Sequence, residues 1–153
     1  MFGLFENPLP VGSDAPPFLL PDEDGSIFAL NLNRNKIVVM VFYPGDDTMV
    51  CTKQLCALND NLARLKEHNL FPVAINPGNA QSHKKFKTKF NYGFPLLVDA
   101  GKRVARMYHC AGPIVKRTVY VIGRDGKIKF AQRGNPSVDE IVAAANAASG
   151  ASR

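Results

Sequence analysis

Residues 36–56 read KIVVMVFYPGDDTMVCTKQLC, and the fold turns on this stretch. Lys36 to Tyr43 is a continuous apolar run containing Ile37, Val38, Val39, Val41 and Phe42. Such a run suits a strand buried on both faces, as in a parallel sheet. Beyond it, Cys51, Leu55, Leu58, Leu62 and Leu65 recur at alternating steps of four and three. That spacing predicts a helix from Cys51 to His68 with one apolar stripe, and Thr48 is placed to cap it. Cys51 then lies at the first turn of a helix, where partial positive charge and free N–H donors favour a thiolate.

Working outward, residues 1–20 are rich in Pro and Gly and read as an extended lead-in, most plainly over 1–10. Ser26 to Leu30 follows an Asp24-Gly25 turn and predicts a short strand. Leu70 to Ile75 predicts a strand, Gln81 to Phe90 a helix, and Pro95 to Asp99 another short strand. Arg117–Ile122 and Lys127–Gln132 flank Gly123-Arg124-Asp125-Gly126, whose Asp-Gly pair signals a hairpin. Ser137 with Glu140 three residues on forms a capping box for a last helix. Residues 147–153 read as a mobile tail. Strands alternating with helices, then a hairpin and a helix, describe a single α/β domain over 1–153. The expected architecture is a thioredoxin-like three-layer fold with a central mixed sheet flanked by helices.

Composition narrows the function classes. Hydrophobic residues make up 46% and charged residues 21%, which excludes a disordered chain. The formal charge is +6. The basic residues are scattered apart from Lys84-Lys85-Phe86-Lys87-Thr88-Lys89, and no nucleic-acid motif accompanies them, so a solvated basic surface is the favoured reading. No run approaches the ~20 apolar residues needed to span a bilayer. The N-terminal stretch has no secretory pattern, so a cytoplasmic protein is expected, with no membrane and no nucleic-acid partner. The 3 cysteines should then be reduced at rest and open to redox chemistry, metal binding or packing.

Cys51 lies in the middle of the leucine stripe, so its thiol should face a pocket. Cys56 is five residues on, about 140° around the helix, with its Cα roughly 8–9 Å away. That exceeds the ~7 Å limit for a disulfide, so coupling the two thiols requires the first turns to unwind. A helix-terminal thiolate attacks electrophilic sulfur or peroxide oxygen, and in the latter case a second thiol can condense with the resulting sulfenic acid. Such chemistry needs donors for the departing oxygen. Thr48 and Arg117 are the candidates.

Pro44-x-x-x-Thr48-x-x-Cys51 resembles the active-site motif of the peroxiredoxins, and Cys56 five positions on resembles their Q-type branch, also called bacterioferritin comigratory protein. Val11 to Pro16 with Phe18, Ser82 to Phe86, Phe94 to Asp99 and Arg117 to Ile122 extend the resemblance over most of residues 10–145. It implies a thiol-dependent, antioxidant peroxidase of the atypical 2-Cys kind. Cys51 would be the peroxidatic cysteine and Cys56 the resolving one. Thr48 would bond the peroxide, Pro44 would shield the pocket, and Arg117 would stabilise the thiolate and the developing charge. Hydrogen peroxide and organic hydroperoxides would be the substrates, thioredoxin or glutaredoxin the reductant. The resemblance also implies no metal and no organic cofactor, and a monomer is expected.

Three departures stand out. Met49-Val50 replaces a common Pro-Gly or Pro-Val, Asp46 and Asp47 set two negative charges near the thiol, and Asn76-Pro77-Gly78 replaces a Ser-x-Asp-like turn. Other readings compete. Cys110, beside His109, is taken as packed structure and as the alternative resolving thiol. A zinc site from Cys51, Cys56, His109 and Cys110 has poor geometry. His83 reads as a solvated helix residue, Lys116 and Arg124 as surface charges, and Tyr43 as packing. A protein disulfide oxidoreductase normally carries Cys-x-x-Cys, unlike the wider gap here, and a non-catalytic binding module would have no need of Pro44, Thr48, Cys51 and Arg117 together.

Overall fold

A computed structural model describes residues 6–151. Its elements run β1 (Leu19–Pro21), β2 (Ile27–Ala29), β3 (Ile37–Phe42), α1 (Met49–Asp60), α2 (Leu62–Glu67), β4 (Leu70–Asn76), α3 (Ala80–Phe90), β5 (Leu96–Val98), α4 (Arg103–Met107), β6 (Thr118–Ile122), β7 (Ile128–Arg133) and α5 (Val138–Ala151). β1 and β2 pair antiparallel as a small separate sheet, and the main sheet has the order β5-β4-β3-β6-β7. β4 is parallel to both β3 and β5, whereas β6 runs antiparallel to β3 and β7. This is the mixed central sheet that the strand and helix pattern predicts.

β3 is the centre of the sheet, and all six of its residues are buried. Alternation divides them. Ile37, Val39, Val41 and Tyr43 join one core with Leu55, Leu58, Leu65, Phe86 and Ile141, while Val38, Met40 and Phe42 join a second with Phe18, Leu20, Val104 and Tyr108. One face is thus covered by α1, α2 and α5 with Phe86 of α3, and the other by α4 and the β1–β2 hairpin. A continuous apolar run is what a strand with two buried faces requires.

Three differences from the sequence reading have local causes. The long helix over 51–68 is two helices, because Asn61 ends α1 and turns its side-chain amide back to the Ala57 carbonyl at 2.8 Å. This competition for backbone groups is why Asn is weak inside helices. β1 lies in what reads as lead-in, where Leu19 to Pro21 find register against Ala29 to Ile27. The expected mobile tail continues α5 as helix as far as Ala151, and residues 152–153 lie outside the described residues. Of the lead-in, residues 1–5 also lie outside them, and 6–10 are irregular but tied down. The Leu9 N–H donates to the Tyr120 hydroxyl at 3.0 Å, and Arg133 donates to the Glu6 carbonyl at 2.7 Å.

The capping box forms as read: the Glu140 N–H donates to Ser137 Oγ and the Ser137 N–H to Glu140 Oε2. No helix of the described residues is long and apolar enough to cross a membrane. Leu55 is fully buried between α1 and the sheet, whereas Met49 on the same helix is 77% exposed. Leu55→Ala is expected to lower stability by about 2–5 kcal/mol. Met49→Ala should change it by less than about 0.5 kcal/mol. Urea unfolding of the two variants checks the contrast.

Candidate active site

Cys51 stands at the start of α1 and is fully buried. Thr48 is the N-cap in an extended conformation, and its hydroxyl oxygen accepts from the Cys51 N–H at 3.4 Å. The thiol therefore sits among the first free N–H groups of the helix, as the cap position requires. Arg117 precedes β6 and shares the parity of Val119 and Val121, which face the core that contains Cys51. Its Nη2 donates to Cys51 Sγ at 3.2 Å and its Nη1 to Gln54 Oε1 at 2.7 Å.

Gln54 is a residue the sequence reading passed over. It is 2% exposed and lies three residues after Cys51 on the same helix face. A buried amide inside an apolar stripe was the available signal, since such a group needs a partner. Here it holds the guanidinium in the plane that meets the sulfur. Pro44 is half-buried on the loop between β3 and α1, while Thr48, Met49 and Val50 are exposed. Thr48, Cys51 and Arg117 thus meet at one helix start, with Arg117 brought from 66 residues away, and Pro44 lies on the loop that leads into it.

Cys56 points elsewhere. α1 is intact from Met49 to Asp60, and the Cys56 sulfur lies 3.5 Å from the Tyr92 hydroxyl. All three cysteines are free thiols. Cys110 is buried in the second core, across the sheet from Cys51, which also separates the four residues weighed as zinc ligands. Burial pushes the Cys110 thiol up to about 11, and its S–H donates to the Tyr108 carbonyl at 3.3 Å.

The loop that presents Thr48 and Cys51 is fixed by a second cluster, and here the structure corrects two expectations. His83 is fully buried, not solvated. Its Nδ1 lies 2.7 Å from Asp46 Oδ2, and its Nε2 lies 3.0 Å from the Leu97 carbonyl and 3.3 Å from that of Asn76. Both ring nitrogens are thus taken up by oxygen atoms of the surrounding chain. His83, Phe86 and Phe90 follow helical spacing, so the buried face was readable. Asp46 also accepts from the hydroxyls of Tyr43 and Ser82, each at 2.6 Å.

Burial alone would raise the Asp46 carboxyl, but the hydrogen bonds from His83, Ser82 and Tyr43 outweigh it and hold the group below its ordinary 3.8. Its charge is therefore answered locally, as is that of Asp47 by Lys89 at 2.9 Å. Tyr43, read as packing, is an anchor: burial, and then the nearby Asp46 charge, push its phenol well above the usual range and keep it a donor.

Asn76 explains the unusual turn after β4. Its amide donates to the Tyr43 carbonyl at 2.8 Å, and its Oδ1 accepts from the Gly78 N–H at 2.7 Å. A Cβ on Gly78 would stand 2.8 Å from that oxygen, so glycine is required there. Lys84 and Lys87, in the basic run, pair with Asp24 and Glu23.

The AhpC/TSA family profile matches residues 11–131. The chain belongs to the AhpC/TSA family. Within it, the chain is 36% identical over 123 residues to peroxiredoxin Q, chloroplastic, of Oryza sativa subsp. japonica, covering 78% of this chain and 57% of that one. It is 35% identical over 123 residues to peroxiredoxin Q, chloroplastic, of Sedum lineare, covering 78% and 66%. The chain therefore spans less than two-thirds of these relatives' own length. Peroxidoxin BcpB from Mycobacterium tuberculosis superposes with a TM-score of 0.84 at 29% identity, over 90% of this chain and 96% of that one. The expected thioredoxin-like peroxiredoxin fold is thus the observed one.

Asp46 titrates lower in the folded chain than the free side chain, so the stability it contributes is fully present above about pH 4 and is lost as pH falls through the folded value. Asp46→Asn strands the His83 ring without its anion and should cost about 3–5 kcal/mol at neutral pH. Urea unfolding across the acid range should show the variant losing part of the wild-type decline below pH 4. A variant as stable as the wild type would remove the anchoring role.

Proposed function

We propose that this AhpC/TSA-family chain is a thiol peroxidase acting on hydrogen peroxide and organic hydroperoxides. One observation carries the reading: the Arg117 guanidinium donates to the buried Cys51 sulfur, 3.2 Å away, at a helix start. A fixed cation beside a helix N-terminus favours a sulfur anion and then the negative charge that develops on the leaving oxygen. The Cys51 thiolate attacks one peroxide oxygen, the S–O bond forms as the O–O bond breaks, and the products are a Cys51 sulfenic acid and water or an alcohol. Thr48 accepts from the Cys51 N–H, which leaves its own hydroxyl hydrogen to bond the peroxide. Pro44, at the mouth of the loop, would limit water.

Cys56 is the proposed resolving thiol. It lies on the same helix and against the same core as Cys51, whereas Cys110 is across the sheet and its thiol is raised by burial. Once the first turns of α1 unwind, the Cys56 sulfur attacks the sulfenic sulfur, the S–S bond forms and water leaves with the Cys56 proton. A dithiol of the thioredoxin or glutaredoxin class then returns two electrons. We place this activity in a cytoplasmic, reducing compartment and in a monomer. The names of the rice and Sedum relatives, peroxiredoxin Q, support the peroxidase reading, while their compartment is the chloroplast. A protein disulfide oxidoreductase is disfavoured, because a fully buried Cys51 offers no surface for a protein disulfide.

With less than one equivalent of hydrogen peroxide and millisecond quenching, mass spectrometry should find rapid loss of the Cys51 thiol followed by a Cys51–Cys56 link. Cys51→Ser should abolish turnover, and retained turnover would sink the assignment. Cys56→Ser should keep the first oxidation and lose the intramolecular link. Arg117→Ala should slow the first step by roughly 100- to 1,000-fold, the usual cost of one charge-stabilising donor.

A further inference from the structure

Cys56 has two partners to choose between during the proposed cycle, and the resting one is fixed unusually firmly. Tyr92 is 3% exposed. Its ring stacks on Phe90 and Phe94, with centroids 5.7 and 5.2 Å away, and meets Phe86 edge-on at 5.2 Å. Its backbone is set by the end of α3, where Asn91 adopts the left-handed conformation at φ 54° and the Tyr92 N–H donates to the Lys87 carbonyl at 3.1 Å. The hydroxyl thus has no freedom to follow Cys56. Burial, and next the adjoining Cys56 sulfur, push the phenol well above its ordinary range, so it keeps its proton.

A second contact lies one turn further along α1. Asn59 donates to the Asn91 carbonyl at 3.1 Å and accepts from the Gly93 N–H at 2.9 Å. Cys56 and Asn59 are three residues apart, hence on one helix face, and both are held by the segment 91–93. The turns around Cys51 must open for the two sulfurs to meet, but the turn around Cys56 is pinned. Among the described residues the Tyr92 hydroxyl bonds nothing but Cys56. A buried phenol in a cluster of phenylalanines costs stability unless its oxygen is used.

Resting on the peroxidase reading, we propose that Tyr92, braced by Asn59, is a positioning residue that retains Cys56 in folded α1 and so sets the rate of disulfide formation after Cys51 is oxidised. Retention lengthens the life of the Cys51 sulfenic acid, which leaves it open to a second peroxide and to the sulfinic state. Cys56 release precedes attack: the Tyr92 contact breaks, the S–S bond to Cys51 forms, the sulfenic S–O bond breaks, and water carries off the Cys56 proton. Tyr92 is not consumed or charged at any point.

The test is Tyr92→Phe, which keeps the ring stack and removes the one oxygen. In rapid-quench mass spectrometry the loss of the Cys51 thiol should proceed at the wild-type rate. The Cys51–Cys56 link should form roughly fivefold faster, the factor one net hydrogen bond is worth, and less sulfinic Cys51 should accumulate at excess peroxide. A merely structural role would slow both phases or neither. An unchanged or slower second phase overturns the proposal.

A parallel measurement does not need the peroxidase reading. In a Cys51→Ser background, the plateau rate of Cys56 alkylation by N-ethylmaleimide at high pH should rise several-fold with Tyr92→Phe, and an equal rate overturns the retention. If wild-type Cys51 shows no rapid oxidation, the peroxidase reading fails, and the alkylation rates still decide the clamp.

Discussion

A carboxylate left 8% exposed stays charged only if donors surround it, and the Asp46 carboxylate has three. Burying an ion without partners is costly enough that the surrounding chain must supply them or the group neutralises. Tyr43, Ser82 and His83 come from the end of β3 and from α3, and Asn76 secures the same Tyr43 by its carbonyl at the end of β4. The loop between β3 and α1 is therefore tied to two neighbouring elements before it delivers Thr48 and Cys51. Without those ties the position of the thiol against Arg117 would be free to drift, because the cap itself is exposed.

The two ends of α1 are held for opposite purposes. At its start the helix aligns N–H groups and meets a guanidinium, which suits a sulfur anion. Further along, the helix keeps Cys56 on Tyr92, away from Cys51. In the proposed cycle, the same regular structure prepares the first step and obstructs the second. The absence of proline in Met49-Val50 leaves the first turn with no ring to stiffen it, and both residues stand in solvent, so opening there exposes little new apolar surface. Resistance to opening is concentrated instead at Leu55 and Leu58, which are buried, and at the contacts of Cys56 and Asn59.

Legibility followed the range of the interactions. Thr48 as a cap, the Ser137–Glu140 box and the Asp125-Gly126 hairpin depend on residues within a turn of each other, and each was readable before any fold was known. Arg117 was readable as a candidate because it begins a predicted strand, but that it reaches Cys51 was settled by which face of β6 meets α1. His83 was misread because a histidine between serine and lysine looks solvated unless Phe86 and Phe90 are counted with it. Tyr92 gave no local signal, and Asn76 stood out only as part of an unusual turn. Their partners are 36 and 33 residues away.

The sequence by itself determined the order of the five main-sheet strands, the buried central strand, and the placement of one cysteine at a helix start with another five residues on. These are matters of period, capping and turn chemistry, which act over a few residues. Only the tertiary structure decided which charge meets Cys51, how Asp46 is answered, and that Cys56 rests on a phenol. Such contacts join elements distant in sequence, and their geometry is set by how a twisted sheet and its helices pack, which no local spacing encodes.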